Sequence, residues 1–345
     1  MPHGPHRHAD IASQAGLSVA TVDRVLHART GVSARAVRAV EQAVLDLDRQ
    51  ATQVRLGARS LVVDLVMQAP HRFSTAVREA LEAELPGLRP ATVRARFHLR
   101  ERGSVADLVA TLDRIGTRGR VSDGVLLKAP DDPEIAAAVD RLAARGIPTV
   151  TLVTDVRDCA RLAYLGPDNS AAGATAAYLV SEWLGDRPGC VLVTLSRTAF
   201  FGERERLEGF RAELARRAPG REVVVLADAD GLDEGMTGLV RDLVTRRRDI
   251  AAVYSAGGGN RGIVAELVAA GVHPRPHVGH DLDADNLALL RAGSLHAVLH
   301  HDLRADLGRA GRQLLRAHRL LPGAPTSTAA AVQVVTPHNL PARLR

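Results

Sequence analysis

From Leu61 onward the chain alternates between short apolar runs and amphipathic stretches of helical length, and few architectures accept that pattern. LVVDLVMQA, VRARFHL, DGVLLKAP and IPTVTLVTD read as strands, with residues 73–85, 105–115 and 134–145 as helices between them. The first run is continuously apolar, as in a strand covered on both faces of a parallel sheet. A second set follows: residues 162–166, then CVLVTLS, EVVVLAD, IAAVYSA and HVGHD as strands, and 171–184, 207–216, 236–246 and 262–271 as helices. Strand–helix alternation of this kind predicts doubly wound α/β sheets. Two successive sets predict two lobes, with a ligand cleft at the carboxyl ends of the strands. Hydrophobic residues make up 46% of the chain and aromatics only 3%, so the core has to be built from Ala, Val and Leu.

Ahead of this core, residues 10–26 (DIASQAGLSVATVDRVL) follow a different rule. Ile11, Ala12 and Ala15 form a small apolar face, and Gly16 can take the positive φ of a sharp corner. Ser18 is placed to cap a second helix through the amide near Thr21. That helix is expected to bury Val22, Val25 and Leu26 and to show Val19, Ala20, Asp23, Arg24 and His27. Ser33 caps a third helix whose Val37, Val40, Val44 and Leu47 share a face. A capped short helix with a buried back suits insertion into a DNA major groove. The first sixty residues hold eight arginines against five acids, and the whole chain carries a net charge of +6. That balance suits a nucleic-acid partner. Lys128 is the chain's only lysine.

The string Ala12-x-x-Ala15-Gly16-Leu17-Ser18-x-x-Thr21-Val22-x-Arg24-Val25-Leu26, followed by Val32-Ser33 and an amphipathic helix, resembles the DNA-binding head of the lactose-repressor (LacI) family. The resemblance implies a three-helix helix-turn-helix domain over residues 1–48 and a linker or hinge over 49–60. It implies a two-lobed core over 61–345 of the periplasmic-binding-protein type I class. Lobe one would take 61–165 and 294–321, lobe two 166–293 and 322–345. By the same resemblance Val19 and Ala20 read base edges, while Ser18, Thr21 and Arg24 touch phosphate or bases. His27, Ser33 and Arg55 complete the expected DNA set. Val19 and Ala20 offer only apolar contact, which suits thymine methyls, and Arg24 can bond phosphate or guanine. Asp23 and His27 depart from the family pattern. So does the linker, where Arg49, Ala51 and Thr52 replace a Tyr-x-Pro-Asn signature and Ala58 replaces a leucine.

Hydroxylated ligands are held by carboxylates and Arg, which take paired hydroxyls, beside an apolar platform. Strand-end positions offering this are Asp168, Asn169, Arg206, Asp281 and His301, with Phe73 and Phe200 as stacking surfaces. Under the resemblance, Asp168 matches an Asp five residues ahead of a helix glycine, Gly173. Arg206 matches an Arg three residues before a Gly-aromatic pair, Gly209-Phe210. Asp281 matches a Gly-x-Asp carboxylate. Gly258 and Asn260 stand where the family carries Asn-Asp. The expected effector is a small sugar or polyol.

Two rival classes remain at this level. Gly257-x-Gly259-x-x-Gly262, after a strand and with Asp281 about twenty residues on, is a dinucleotide fingerprint at face value. It occurs late in the strand series, and no second motif places an acid or base. A transport-type solute-binding protein would share the core but has no use for the head. The favoured reading is a non-enzymatic transcriptional regulator, a repressor acting on operator DNA as a homodimer. No cofactor is expected. His296, His300, His301 and Asp302 lack a third ligand at known spacing, and the His3, His6, His8 cluster lies in a polar tail, so no metal site is expected. Cys159 and Cys190 form no disulfide framework. No run is long enough for a membrane span and no secretory segment is legible, so a cytoplasmic protein is expected.

Overall fold

The computed structural model describes residues 6–57 and 59–342, with no account of side chains over 49–58. The amino-terminal unit holds α1 (His8–Ala15), α2 (Val19–Leu26) and α3 (Ala34–Gly57). Gly16 ends α1 in the left-handed region at φ 65°, its amide reaching back to the carbonyls of Ala12 and Ser13. Ser18 caps α2 by accepting from the Thr21 amide at 3.2 Å, and Ser33 caps α3 by accepting from Ala36. Ile11, Ala12, Val22, Val40 and Ala43 form the core, with Val25, Val44 and Leu47 packed on it. Leu26, expected inside, is 40% exposed, because it sits at the last position of α2. Residues 49–57, expected to be linker, continue α3 as helix. No Gly or Pro interrupts the sequence between Ala34 and Gly57, and most of its residues are good helix formers.

The second unit contains two six-stranded sheets. The first sheet takes β1 (Ser60–Gln68), β2 (Thr92–Arg100), β3 (Gly124–Lys128), β4 (Thr149–Leu152), β5 (Ala163–Pro167) and β11 (Thr328–Ala330), in the order β11-β5-β4-β3-β1-β2. The second takes β6 (Cys190–Thr194), β7 (Val223–Leu226), β8 (Ile250–Ser255), β9 (His277–His280), β10 (Ala297–His300) and β12 (Gln333–Val335), in the order β12-β10-β9-β8-β6-β7. Within the second sheet β12 runs antiparallel to β10, while the other pairs are parallel. The connecting helices are α4 (His71–Glu84), α5 (Val105–Arg114), α6 (Pro133–Ala144), α7 (Asn169–Leu184), α8 (Phe201–Arg217), α9 (Asp233–Arg246), α10 (Asn260–Ala269), α11 (Ala284–Arg291) and α12 (Leu303–Ala317). The strand cores are small aliphatics: Val125, Leu126 and Leu127 in β3 and Val191, Leu192 and Val193 in β6 are fully buried.

The chain changes lobe three times. The first passage follows β5, which ends at Pro167. The second follows β10, not residue 293, since the alternating LHAVLHH run completes the second sheet. The third falls between β11 and β12, not near 322. The glycine at 293 only turns the chain between α11 and β10, at φ 74°.

Candidate ligand cleft and candidate nucleic-acid interface

The strand ends of the two lobes face one cavity of about 60 Å³, room for on the order of four to six waters. Lobe one supplies Gln68 at the end of β1, Lys128 at the end of β3, and Arg72 and Phe73 from the first turn of α4. Lobe two supplies Ser196 and Arg197 after β6, Glu203 and Arg206 from α8, Gly257 and Gly258 after β8, and His280 and Asp281 from β9 and the turn beyond it. Bonds between the lobes close its mouth. Arg72 donates from Nε to Asp283 Oδ2 at 2.8 Å and from Nη2 to the Gly231 carbonyl at 2.8 Å. Arg204 of α8 donates to Asp131 Oδ2 at 2.8 Å, and the Gly202 amide donates to Thr154 Oγ1 at 2.9 Å.

The polar interior of the cavity is organised in pairs. Arg206 is 4% exposed and donates to Asn169 Oδ1 and to the Ala256 carbonyl, both at 2.8 Å. Glu203 accepts from the Ser196 amide at 2.6 Å and from the Ser196 hydroxyl. Burial pushes its carboxyl above the usual range, against the pull of Ser196, Arg206 and Lys128. Lys128 donates to the Gln68 carbonyl at 3.2 Å and lies 3.9 Å above the Phe200 ring centroid. Burial brings its ammonium down to about 8, in spite of Glu203 and Asp281 nearby. Behind Asp281 stands His301, whose Nδ1 bonds Asp306 and whose Nε2 is 3.6 Å from Asp281 Oδ1. That gap is too wide for a hydrogen bond. Asp281 Oδ1 and Gln68 Oε1 are buried with no hydrogen-bond partner.

Of the ligand residues expected from the sequence, Phe73, Phe200, Arg206, Gly258 and Asp281 line this cavity. The other four do not. Asp168 is the cap of α7, accepting from Ala171 at 2.9 Å, and is exposed. Asn169 is buried and holds Arg206 instead of facing the cavity. Asn260 begins α10 and donates to Asn286 Oδ1 at 2.8 Å. His301 lies one layer back, against Asp281. One face of the Phe200 ring is covered by Lys128. Gln68, Arg72, Lys128 and Glu203 were not among the expected set. One signal for two of them was legible: Gln68 and Lys128 each put a polar residue at the end of an otherwise apolar strand.

The dinucleotide-like glycines have local reasons to be glycine. A Cβ on Gly257 would fall 1.9 Å from the Ser196 nitrogen, and one on Gly262 would fall 2.4 Å from the Asp233 carbonyl oxygen. Gly259 opens α10 at φ 76°. Among the described residues no cluster of three or more metal-ligating side chains occurs.

In the head, Val19, Ala20, Arg24 and His27 share one exposed face of α2, with Val19 49% exposed. Ser18 is exposed at the start of that helix, Thr21 is half-buried, and their hydroxyls meet at 2.8 Å. Asp23 does not present a bare carboxylate on this face. It pairs with His27 at 3.1 Å and Arg29 at 3.2 Å. Ser33 is exposed at the start of α3. Arg55, with Arg49, Ala51 and Thr52, lies where the structure describes the backbone of α3 but not the side chains, and Ala58 lies outside the described residues.

Residues 65–319 match the family model described as periplasmic binding protein domain, and residues 9–48 match that of bacterial regulatory proteins, lacI family. The core of the chain is therefore a periplasmic binding protein domain. With its head, the chain belongs to the lacI family and is a ligand-responsive DNA-binding regulator. No curated protein sequence matches it. Among solved structures it is similar to GanP, a glucose-galactose binding protein from Geobacillus stearothermophilus, with TM-score 0.72 and 16% identity over 82% of this chain and 99% of that one. It is also similar to the Caulobacter myo-inositol binding protein bound to myo-inositol, with TM-score 0.70 and 20% identity over 81% and 94% of the two chains. At these identities the likeness is one of fold. No helix among the described residues is long and apolar enough to cross a membrane.

Proposed function

We propose that this regulator is a cytoplasmic repressor, that it binds operator DNA as a homodimer, and that it performs no catalysis. A small hydroxylated effector of the sugar or polyol class binds in the cleft. The observation that carries the reading is a polar cavity at the strand ends of both lobes in a chain that also carries a DNA-binding head. Gln68 Oε1 and Asp281 Oδ1, both buried without a hydrogen-bond partner, belong to cavity-lining residues and are suited to hydroxyl donors. Solved neighbours of the same fold are a glucose-galactose binding protein and a myo-inositol binding protein, which supports the effector class. Effector and operator would be coupled through opposed preferences for two lobe arrangements, with dimerisation setting the spacing of the half-sites.

The test pairs two variants. Arg24→Ala should abolish retention on operator fragments selected from the source genome, while leaving thermal stabilisation by effector intact. Asp281→Asn should do the reverse, keeping DNA retention and losing release by effector. Retention by Arg24→Ala would reject the reading face assigned to α2. Unchanged release in Asp281→Asn would reject the cleft.

A further inference from the structure

The only lysine in the chain is also the one placed in the cleft. Every other cationic side chain save histidine is Arg, so whatever favours Arg elsewhere was overridden at this position. An Arg fork and a Lys point charge differ in reach and hydration, and the space above Phe200 admits a compact ammonium.

Lys128 and Arg206 are both buried, at 8% and 4% exposure. Among the described residues neither makes an ion pair within 4.0 Å. The other cations on the cavity wall are matched: Arg72 with Asp283 and Arg197 with Asp230. Glu203 and Asp281 are the carboxylates nearest Lys128, but neither comes within ion-pair distance of it or of Arg206: the oxygens of Glu203 are taken by Ser196, and Asp281 Oδ1 faces His301. A buried charge without a partner is costly. Two on one small cavity therefore call for an anionic group. Beside them, Gln68 Oε1 and Asp281 Oδ1 are acceptors without donors, and these call for hydroxyls.

We infer that the effector is a polyhydroxylated acid, an aldonic or uronic acid, whose carboxylate sits between Lys128 and Arg206 and whose hydroxyls donate to Gln68 and Asp281. The inference rests on the cleft being the effector site, and it narrows the class proposed for that site. Lys128 is then the residue that separates the acid from its neutral sugar.

The experiment is a thermal-shift series on the full chain with D-gluconate, D-galactonate, D-glucuronate and D-galacturonate, each beside D-glucose, D-galactose and myo-inositol. At least one acid should raise the midpoint where the neutral compounds do not. Lys128→Met should weaken that acid by about tenfold to a hundredfold, the range for a charge-assisted hydrogen bond. It should also raise the midpoint of the ligand-free protein, since it removes an uncompensated buried charge. Lysine labelled with ¹³C and ¹⁵N gives a single side-chain signal in this chain, and acid binding should move it and raise its titration midpoint. Stabilisation by a neutral sugar or polyol but by no acid would overturn the inference and leave the cleft assignment standing. Stabilisation by neither class would overturn both. Acid binding that leaves the Lys128 signal and the Lys128→Met affinity unchanged would overturn the inference, as would a Lys128→Met protein that is merely less stable.

Discussion

Arg72→Ala should open the cleft. Arg72 belongs to α4 of lobe one, and both of its hydrogen bonds go to lobe two. Its side chain is 19% exposed and that of Asp283 is 6% exposed, so the pair is largely removed from water. Burial already pushes the Asp283 carboxyl upward, more than Arg72 and the Asn286 amide pull it down. Deleting the guanidinium would leave that carboxylate buried with only its cap to α11. Breaking a buried ion pair from one side costs about 3–5 kcal/mol. The lower end applies, because parting the lobes readmits water to Asp283. About 3 kcal/mol against the closed arrangement is a factor of roughly 150. Small-angle scattering on the ligand-free protein should therefore show a larger radius of gyration for Arg72→Ala. Effector affinity should fall by up to the same factor. A double-mutant cycle with Asp283→Asn should return a coupling of about 2 kcal/mol, within the range for contacting residues. An Arg72→Ala protein with the parent scattering curve and the parent affinity would refute the latch, and with it the reasoning that these bonds hold the lobes together.

Two further outcomes concern the scaffold. Gly173→Ala should destabilise the protein by about 1–3 kcal/mol or more, because the new Cβ would lie 1.9 Å from the Arg206 carbonyl oxygen, where α7 crosses α8. Calorimetry showing an unchanged midpoint would contradict that close approach. His277, lowered to about 3 by burial, stays neutral in the folded chain while the unfolded chain protonates below about 6.5. Its contribution is therefore intact above that pH and falls as the pH drops, by about 2 kcal/mol at pH 5. Buried His280, held well below its usual value, acts in the same direction. Urea midpoints at pH 7.5 and 5 should converge in His277→Gln relative to the parent, and equal pH dependence in the two proteins would refute it.

The lobes were legible because β1, β3, β6 and β8 are apolar runs that few other structures accommodate. The spacing that pairs Asp168 with Gly173 and Arg206 with Gly209 was legible too, and the structure supplies its reason. Gly173 lies against the Arg206 backbone and Gly209 against that of Ser170, so the two helices meet closely enough for Asn169 to reach Arg206. The start of α8 was not legible. Its inward face carries Gly202, Glu203 and Arg206, and a helix that turns polar groups toward a cavity shows no apolar period. The passages between lobes were missed where the strands are shortest. The three residues of β11 and the three of β12 sit in a tail whose composition does not distinguish strand from loop. Asp168 and Asn169 were misplaced for another reason. A carboxylate at a strand end serves equally as ligand and as helix cap, and only geometry separates the two.

The cavity has a consequence for how the regulator responds. Sheets built almost wholly of Val, Leu and Ala lead to a cavity lined by Lys128 at the end of β3, Glu203 and Arg206 on α8 and Asp281 after β9, and each of these is more expensive to bury than the apolar residues behind it. Arg72 bridges the two lobes over them. The closed arrangement is thus held by a few bonds at the rim over a polar interior. A ligand that satisfies Lys128, Arg206, Gln68 and Asp281 together adds most of its free energy to the closed arrangement, since those four come from both lobes and meet only there. Differential affinity of that kind is what a population shift requires. A ligand reaching only the lobe-two groups Arg206 and Asp281 would bind without favouring closure. Such a compound should occupy the cleft and leave operator binding unchanged, and competition against a full effector in a gel shift would reveal it.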